Sequence, residues 1–105
     1  MFKDYRKYQR YSILAKALIT RRDEGSQESL TAQVSTISQG GMGFYADTFL
    51  ENATPVAVEF LVDALLGIGV LEGKIASVCS QGNDYFVGIA FDREISYDRF
   101  VTIIS

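Results

Sequence analysis

Histidine is absent from the 105 residues of this chain, and cysteine occurs once, at Cys79. The first absence removes the commonest general base and, with it, every Ser-His or Cys-His nucleophile pair. With one thiol and no imidazole there is no zinc site of the usual kind and no internal disulfide, and Cys79 reads as a small core or near-core residue. No apolar run approaches the roughly 20 residues that span a bilayer, and the opening MFKDYRKYQR lacks the apolar centre of a signal peptide. The sequence therefore predicts no membrane insertion and a cytoplasmic location. An enzyme built from this chain would depend on carboxylates or on a lysine such as Lys74. Thirteen acidic residues are present, but no two stand in a setting that marks facing catalytic carboxylates, and a solvated surface accounts for them. No catalytic residue, metal ligand or cofactor is assigned.

The net charge of −3 argues against a generic nucleic-acid partner, but it hides an asymmetry. Residues 1–22 carry seven basic groups (Lys3, Arg6, Lys7, Arg10, Lys16, Arg21 and Arg22) against Asp4 alone, a balance of +6, while the remainder carries three basic and twelve acidic groups, a balance of −9. A cationic arm attached to an acidic body either lies against that body or serves a local anion.

What is present is a 48% apolar chain, long enough for one small domain with a core of its own. Residues 1–11 mix charge with Tyr5, Tyr8 and Tyr11 and follow neither helical nor strand period, which predicts an irregular, flexible basic arm. From Tyr11 the pattern alternates: Tyr11, Ile13, Ala15, Ala17 and Ile19 face one way, Leu14, Lys16 and Leu18 the other. Asp23, Glu24, Gly25 and Ser26 signal a turn, and Leu30, Ala32 and Val34 define a second strand whose phase breaks near Ile37, as at a bulge. A short strand over 42–46 follows. Beyond Pro55, Val56, Val58, Phe60 and Val62 alternate with Ala57, Glu59 and Leu61, the cleanest strand in the chain. Residues 63–69 read as a turn or irregular link, 71–78 as a strand in which Gly73 marks a bend or bulge. Gln81, Gly82, Asn83 and Asp84 form a hairpin turn into a returning strand at Tyr85, Val87, Ile89 and Phe91. The period then becomes helical over 96–104, with Ser96 as N-cap and Ile95 and Phe100 as a hydrophobic staple. Six short strands and one terminal helix predict an all-β domain over 12–105, a small six-stranded antiparallel β-barrel closed by a short C-terminal α-helix.

The chain is organised around VSTISQGGMGFY, residues 34–45. Ser38, Gln39, Gly40 and Gly41 turn it between two apolar runs. Adjacent glycines permit positive φ and close approach of a ligand to the backbone, and Ser38 adds a hydroxyl.

Three stretches together resemble the PilZ domain, the bacterial receptor module for cyclic di-GMP. Arg6-Lys7-Tyr8-Gln9-Arg10 stands where that family has R-x-x-x-R, just before the first strand. Thr36-Ile37-Ser38-Gln39-Gly40-Gly41 matches its [D/N]-x-S-x-x-G except at the first position. GKIASV, the Gly-Asn-Asp turn and YFVGIAF resemble its late hairpin. The resemblance covers nearly the whole chain and implies the same helix-closed barrel. It also implies a cyclic di-GMP site at Arg6, Arg10, Thr36, Ser38 and Gly41. Arginine suits a ligand with two guanines and two phosphates, because its planar fork pairs with guanine O6 and N7 or grips a phosphate. Ser38 would bond the ligand and Gly41 would keep the turn tight. Thr36 departs from the pattern: Asp or Asn makes two hydrogen bonds to a guanine edge, whereas threonine has one oxygen and a shorter reach.

The resemblance therefore implies an effector that couples cyclic di-GMP binding to a protein partner or pathway, such as control of motility, pili or biofilm. The alternative is an adaptor of the same fold that has lost the nucleotide and acts through protein contacts. Arg6, Arg10, Ser38 and Gly41 favour the first, Thr36 the second.

Overall fold

A computed structural model describes residues 8–23 and 28–105. Six strands, β1 (Tyr11–Arg21), β2 (Ser29–Ser38), β3 (Gly41–Ala46), β4 (Pro55–Phe60), β5 (Val70–Gln81) and β6 (Asp84–Phe91), pair antiparallel throughout and close into a barrel in the order β1-β2-β3-β6-β5-β4. Closure leaves no open sheet edge. The alternation predicted for β4 is observed as far as Phe60, but the strand ends there and Val62, expected in it, caps the helix that follows. Val56, Val58 and Phe60 lie inside the barrel. They meet Ala17 and Ile19 of β1, Val34 and Ile37 of β2, Phe44 of β3, Ile75 of β5 and Val87 of β6, all buried. Core residues of this kind hold such a barrel together: truncating a buried Phe such as Phe60 to Ala costs about 3–5 kcal/mol.

Bulges decide which residues reach the outer face. The β2–β3 register shifts between Val34 and Thr36. Ser35 is the extra residue, so Val34 and Ile37 both point inward although three positions apart. The break expected near Ile37 is therefore real and lies at Ser35. In β5 the shift falls between Ile75 and Ser77, not at Gly73 as the sequence suggested. Gly73 is required for another reason: a Cβ there would strike the Ala90 carbonyl oxygen of the adjoining strand.

Cys79, expected in or near the core, is exposed. It lies beyond the β5 bulge, where β5 and β6 run on as a hairpin past the barrel wall and Val78 alone among residues 76–81 is partly covered. The hairpin closes through Gly82 and Asn83, with Gly82 at φ 62° and Asn83 at negative φ, the combination that a type II′ turn uses.

The link read as irregular is a 3-10 helix, Asp63–Ile68, which buries Leu65 and Ile68. Their spacing of three matches the period of that helix. The C-terminal helix α1 (Tyr97–Ile104) begins as predicted: Ser96 Oγ accepts the Arg99 N–H at 3.4 Å, and Ile95, Phe100 and Ile103 are buried. Helix α1 packs at the barrel end where β1 begins, with the Phe100 ring edge-on to Tyr11 at 5.5 Å.

Candidate ligand cleft

The turn that the sequence singled out lies at this same end. Gln39 and Gly40 link β2 to β3 between the paired residues Ser38 and Gly41. Three hydrogen bonds tie the turn to the segment that enters α1: the Ile95 N–H donates to the Gln39 carbonyl (2.8 Å), Gln39 Nε2 donates to the Ile95 carbonyl (2.9 Å), and the Phe91 N–H donates to the Gly40 carbonyl (2.9 Å). Ser38 is buried, and its oxygen accepts the Gly40 N–H at 3.2 Å while its proton is directed to the Gly41 carbonyl at 3.4 Å. The hydroxyl thus organises the turn.

Positive φ is not what the two glycines supply. Among the described glycines only Gly69 and Gly82 have it. Crowding selects them instead. A Cβ on Gly41 would fall against the backbone carbonyl of Ile89, and one on Gly40 would lie 3.0 Å from the Tyr8 ring.

Outside the barrel wall next to this turn is a cleft of about 350 Å³. Its floor follows from strand register. Thr36 lies opposite Gly43, Gly43 opposite Gly88, and Gly88 opposite Ser77, a single row across β2, β3, β6 and β5. The next row runs Ser38, Gly41, Ala90, Lys74. Two adjoining glycines stand at the centre of the first row, with buried Gly43 covered by its neighbours' side chains, and the ends of the row carry hydroxyls. A Cβ on Gly43 would lie 2.5 Å from Phe86 Cζ and 2.8 Å from Thr36 Oγ1, and one on Gly88 would lie 2.6 Å from Ser77 Oγ. Phe86, Thr36 and Ser77 therefore lean over space that the glycines leave. Phe86 in turn packs edge-on to Tyr45, with ring centres 4.9 Å apart.

Arg10 lines the cleft and is the only charged side chain that does so among the described residues. It is exposed and has no ion pair among them, a planar cation at the rim of the recess. The acids that do pair lie elsewhere. Arg21 reaches Asp23 at 2.7 Å and Glu28 at 3.3 Å, and Arg22 reaches Glu72 at 3.2 Å. The hydrogen bond from Arg21 holds the Asp23 carboxyl below its ordinary pKa and raises that of Arg21.

Of the residues assigned from the sequence, Arg10, Thr36, Ser38 and Gly41 line this one cleft. Arg6 and the rest of the arm through residue 7 lie outside the described residues. Sequence reasoning did not assign Tyr8, Phe86, Ser77 or the glycine pair Gly43 and Gly88 to the site. All of them belong to stretches it had noted, but only the register between distant strands places Ser77, Gly43 and Gly88 in one row with Thr36.

The profile of the PilZ domain matches residues 4–103. This chain belongs to the PilZ domain family. Its barrel is similar to the PilZ domain of YcgR from Escherichia coli, solved with c-di-GMP, at a TM-score of 0.68 and 18% identity over 95% of this chain and 86% of that one. It is also similar to the inhibitor of motility MotI/DgrA of Bacillus subtilis, at a TM-score of 0.69 and 10% identity over 96% of this chain. The PilZ domain described here spans about half of the MotI/DgrA chain, 49% of its length. At these identities the likeness is one of fold. Among curated proteins none matches the sequence. No helix among the described residues is long and apolar enough to cross a membrane, and no cluster of acidic or cysteine side chains there is arranged to hold a metal ion.

Proposed function

We propose that this PilZ domain binds cyclic di-GMP in the cleft and passes that event to a protein partner. The observation that carries the reading is the convergence of Arg10, Thr36, Ser38 and Gly41 on one recess beside the glycine pair Gly43 and Gly88. An anionic ligand with flat purines fits that chemistry. Arg10 offers a fork for a phosphate or for guanine O6 and N7, and Arg6, four residues earlier, would offer a second. A purine face would lie against the Phe86 ring, which folds over Gly43.

A route to an output is built into the same turn. Gln39 joins the cleft to Ile95 through two hydrogen bonds, and Ile95 leads into α1, whose Tyr97 and Val101 face solvent. A ligand held by Arg10 beside the turn would alter the surface around that helix, which suits control of a partner in motility, pili or biofilm.

The second reading, an adaptor without nucleotide, is favoured by Thr36, which lacks a two-point hydrogen-bonding group, and by Ser38, whose hydroxyl is engaged inside the turn. Calorimetric titration of the protein with cyclic di-GMP, with GTP as control, separates the two. Saturable heat at one site per chain, holding one ligand or a stacked pair, and no matching heat from GTP supports the receptor. No heat and no thermal shift at high ligand concentration leaves the adaptor.

A further inference from the structure

The hydrogen-bonding groups on the cleft floor are of one kind. Among the described residues that line it there is no aspartate, glutamate, asparagine or glutamine. The side-chain oxygens at the two ends of the glycine row are Thr36 Oγ1 and Ser77 Oγ, and neither has a hydrogen-bond partner among the described residues. Ser38 is engaged by Gly40 and Gly41, and the Tyr8 ring lies over Gly40 at the turn. Among the described residues, the side-chain groups left to read the edge of a base on this floor are thus two rotatable hydroxyls.

That has a chemical consequence for selectivity. A carboxylate only accepts hydrogen bonds, so it matches the guanine edge, where N1–H and N2–H donate, and opposes the adenine edge, where N1 accepts. A hydroxyl carries one proton and two lone pairs and turns to suit either edge. A second means of discrimination is missing as well, because the Phe86 ring, which lies over Gly43, carries no group that hydrogen-bonds an exocyclic amine or carbonyl. Arg10 still favours one guanine through O6 and N7, and with Arg6 assigned to a phosphate the second base is read by the floor alone.

We infer that the cleft accepts purine cyclic dinucleotides in which adenine replaces one guanine, with Thr36 and Ser77 as the groups that relax the choice. This rests on the receptor reading above and adds to it the class of ligand. The protein is titrated by calorimetry with cyclic di-GMP, with 3′,3′-linked cyclic GMP–AMP and with cyclic di-AMP. The mixed ligand is expected within about tenfold of cyclic di-GMP, since the bidentate contact that would reject adenine, worth about ten- to a hundredfold, is missing. Cyclic di-AMP, with no guanine for Arg10, is expected to bind weaker than both.

Thr36→Asp then widens the preference for cyclic di-GMP over the mixed ligand by about tenfold or more. Its added charge acts on both ligands alike and cancels in the ratio. Thr36→Asn, whose amide donates and accepts, leaves the ratio near that of the parent. A parent protein that binds cyclic di-GMP but prefers it over the mixed ligand by more than tenfold overturns the inference, as does a Thr36→Asp ratio equal to the parent's. Absence of heat with all three ligands is a different result: it removes the receptor reading, and this inference with it.

Discussion

Replacing Gly41 with alanine tests whether the close contact between β3 and β6 governs that position. The three nearest atoms to a Cβ built there are all backbone: the Ile89 carbonyl oxygen, closer than the 3.0 Å that real Cβ atoms respect, then Ile89 C at 3.4 Å and Ala90 Cα at 3.6 Å. No rotamer change relieves such a contact. The strands must part, and parting them disturbs the ladder that pairs Gly41 with Ala90 and the buried neighbours Met42 and Ile89. Overpacking of this sort costs about 1–3 kcal/mol, which for a domain near this size lowers the melting temperature by roughly 4–15 °C. Gly43→Ala is the matched control. Its Cβ meets the tip of the Phe86 ring and the Thr36 hydroxyl, both ends of side chains that can turn aside. Differential scanning calorimetry of the two variants should therefore show a clear fall for Gly41→Ala and a smaller one for Gly43→Ala. A Gly41→Ala protein that melts with the parent would refute the reasoning, because the glycine would then answer to something other than strand approach.

Arg10→Ala should weaken cyclic di-GMP binding by at least about tenfold with the melting temperature nearly unchanged, since an exposed arm residue contributes little to the core. Arg10→Lys should not restore affinity, because it keeps the charge and loses the fork; binding equal to the parent's would make plain charge attraction the better account. Thr36→Asn should tighten cyclic di-GMP by up to about 3 kcal/mol in calorimetry, and unchanged affinity in a folded variant would show that this side chain does not face the ligand. The folded-state pKa of Asp23 is depressed by its hydrogen bond to Arg21. Its stabilising contribution is therefore complete above the unfolded aspartate value of about 3.9 and is lost as the pH falls through the lower folded value. Asp23→Asn should flatten that acid limb of a stability-versus-pH curve and leave it alone at neutral pH apart from a constant offset.

The barrel was legible because its strands bury one face, so apolar residues recur at every second position in β1, β2, β4 and β6. The helix was legible for a local reason, the Ser96 cap beside a change of period. What escaped depends on pairing between distant segments. The β5 bulge resets the alternation after Ile75, which turns Ser77 into the cleft and carries Cys79 out to solvent on the projecting hairpin. Gly73 looked like a kink because sequence cannot show the Ala90 carbonyl against it. The glycine floor has the same origin: Gly43 and Gly88 are unremarkable apart, and become one surface only when β3 and β6 are set in register.

The residues that match the family pattern do not weigh equally as evidence for a ligand. Ser38 and Gly41 each have a duty that the barrel imposes: the serine closes the turn on Gly40 and Gly41, and the glycine admits the Ile89 carbonyl. A PilZ barrel that had lost its nucleotide would still need both. Arg10 is different. It is exposed, has no ion pair among the described residues and supports no core, so the fold does not explain an arginine at the cleft's rim. Thr36 is also unconstrained in this sense, since its hydroxyl bonds to nothing among the described residues and its methyl lies outside the barrel interior. Function is thus read from the two positions that structure leaves free. Arg10 offers chemistry that suits guanine and phosphate, and Thr36 offers a hydroxyl where the family pattern has a two-point group. The proposed receptor, with its affinity lowered and its choice of base relaxed at Thr36, accounts for both observations together.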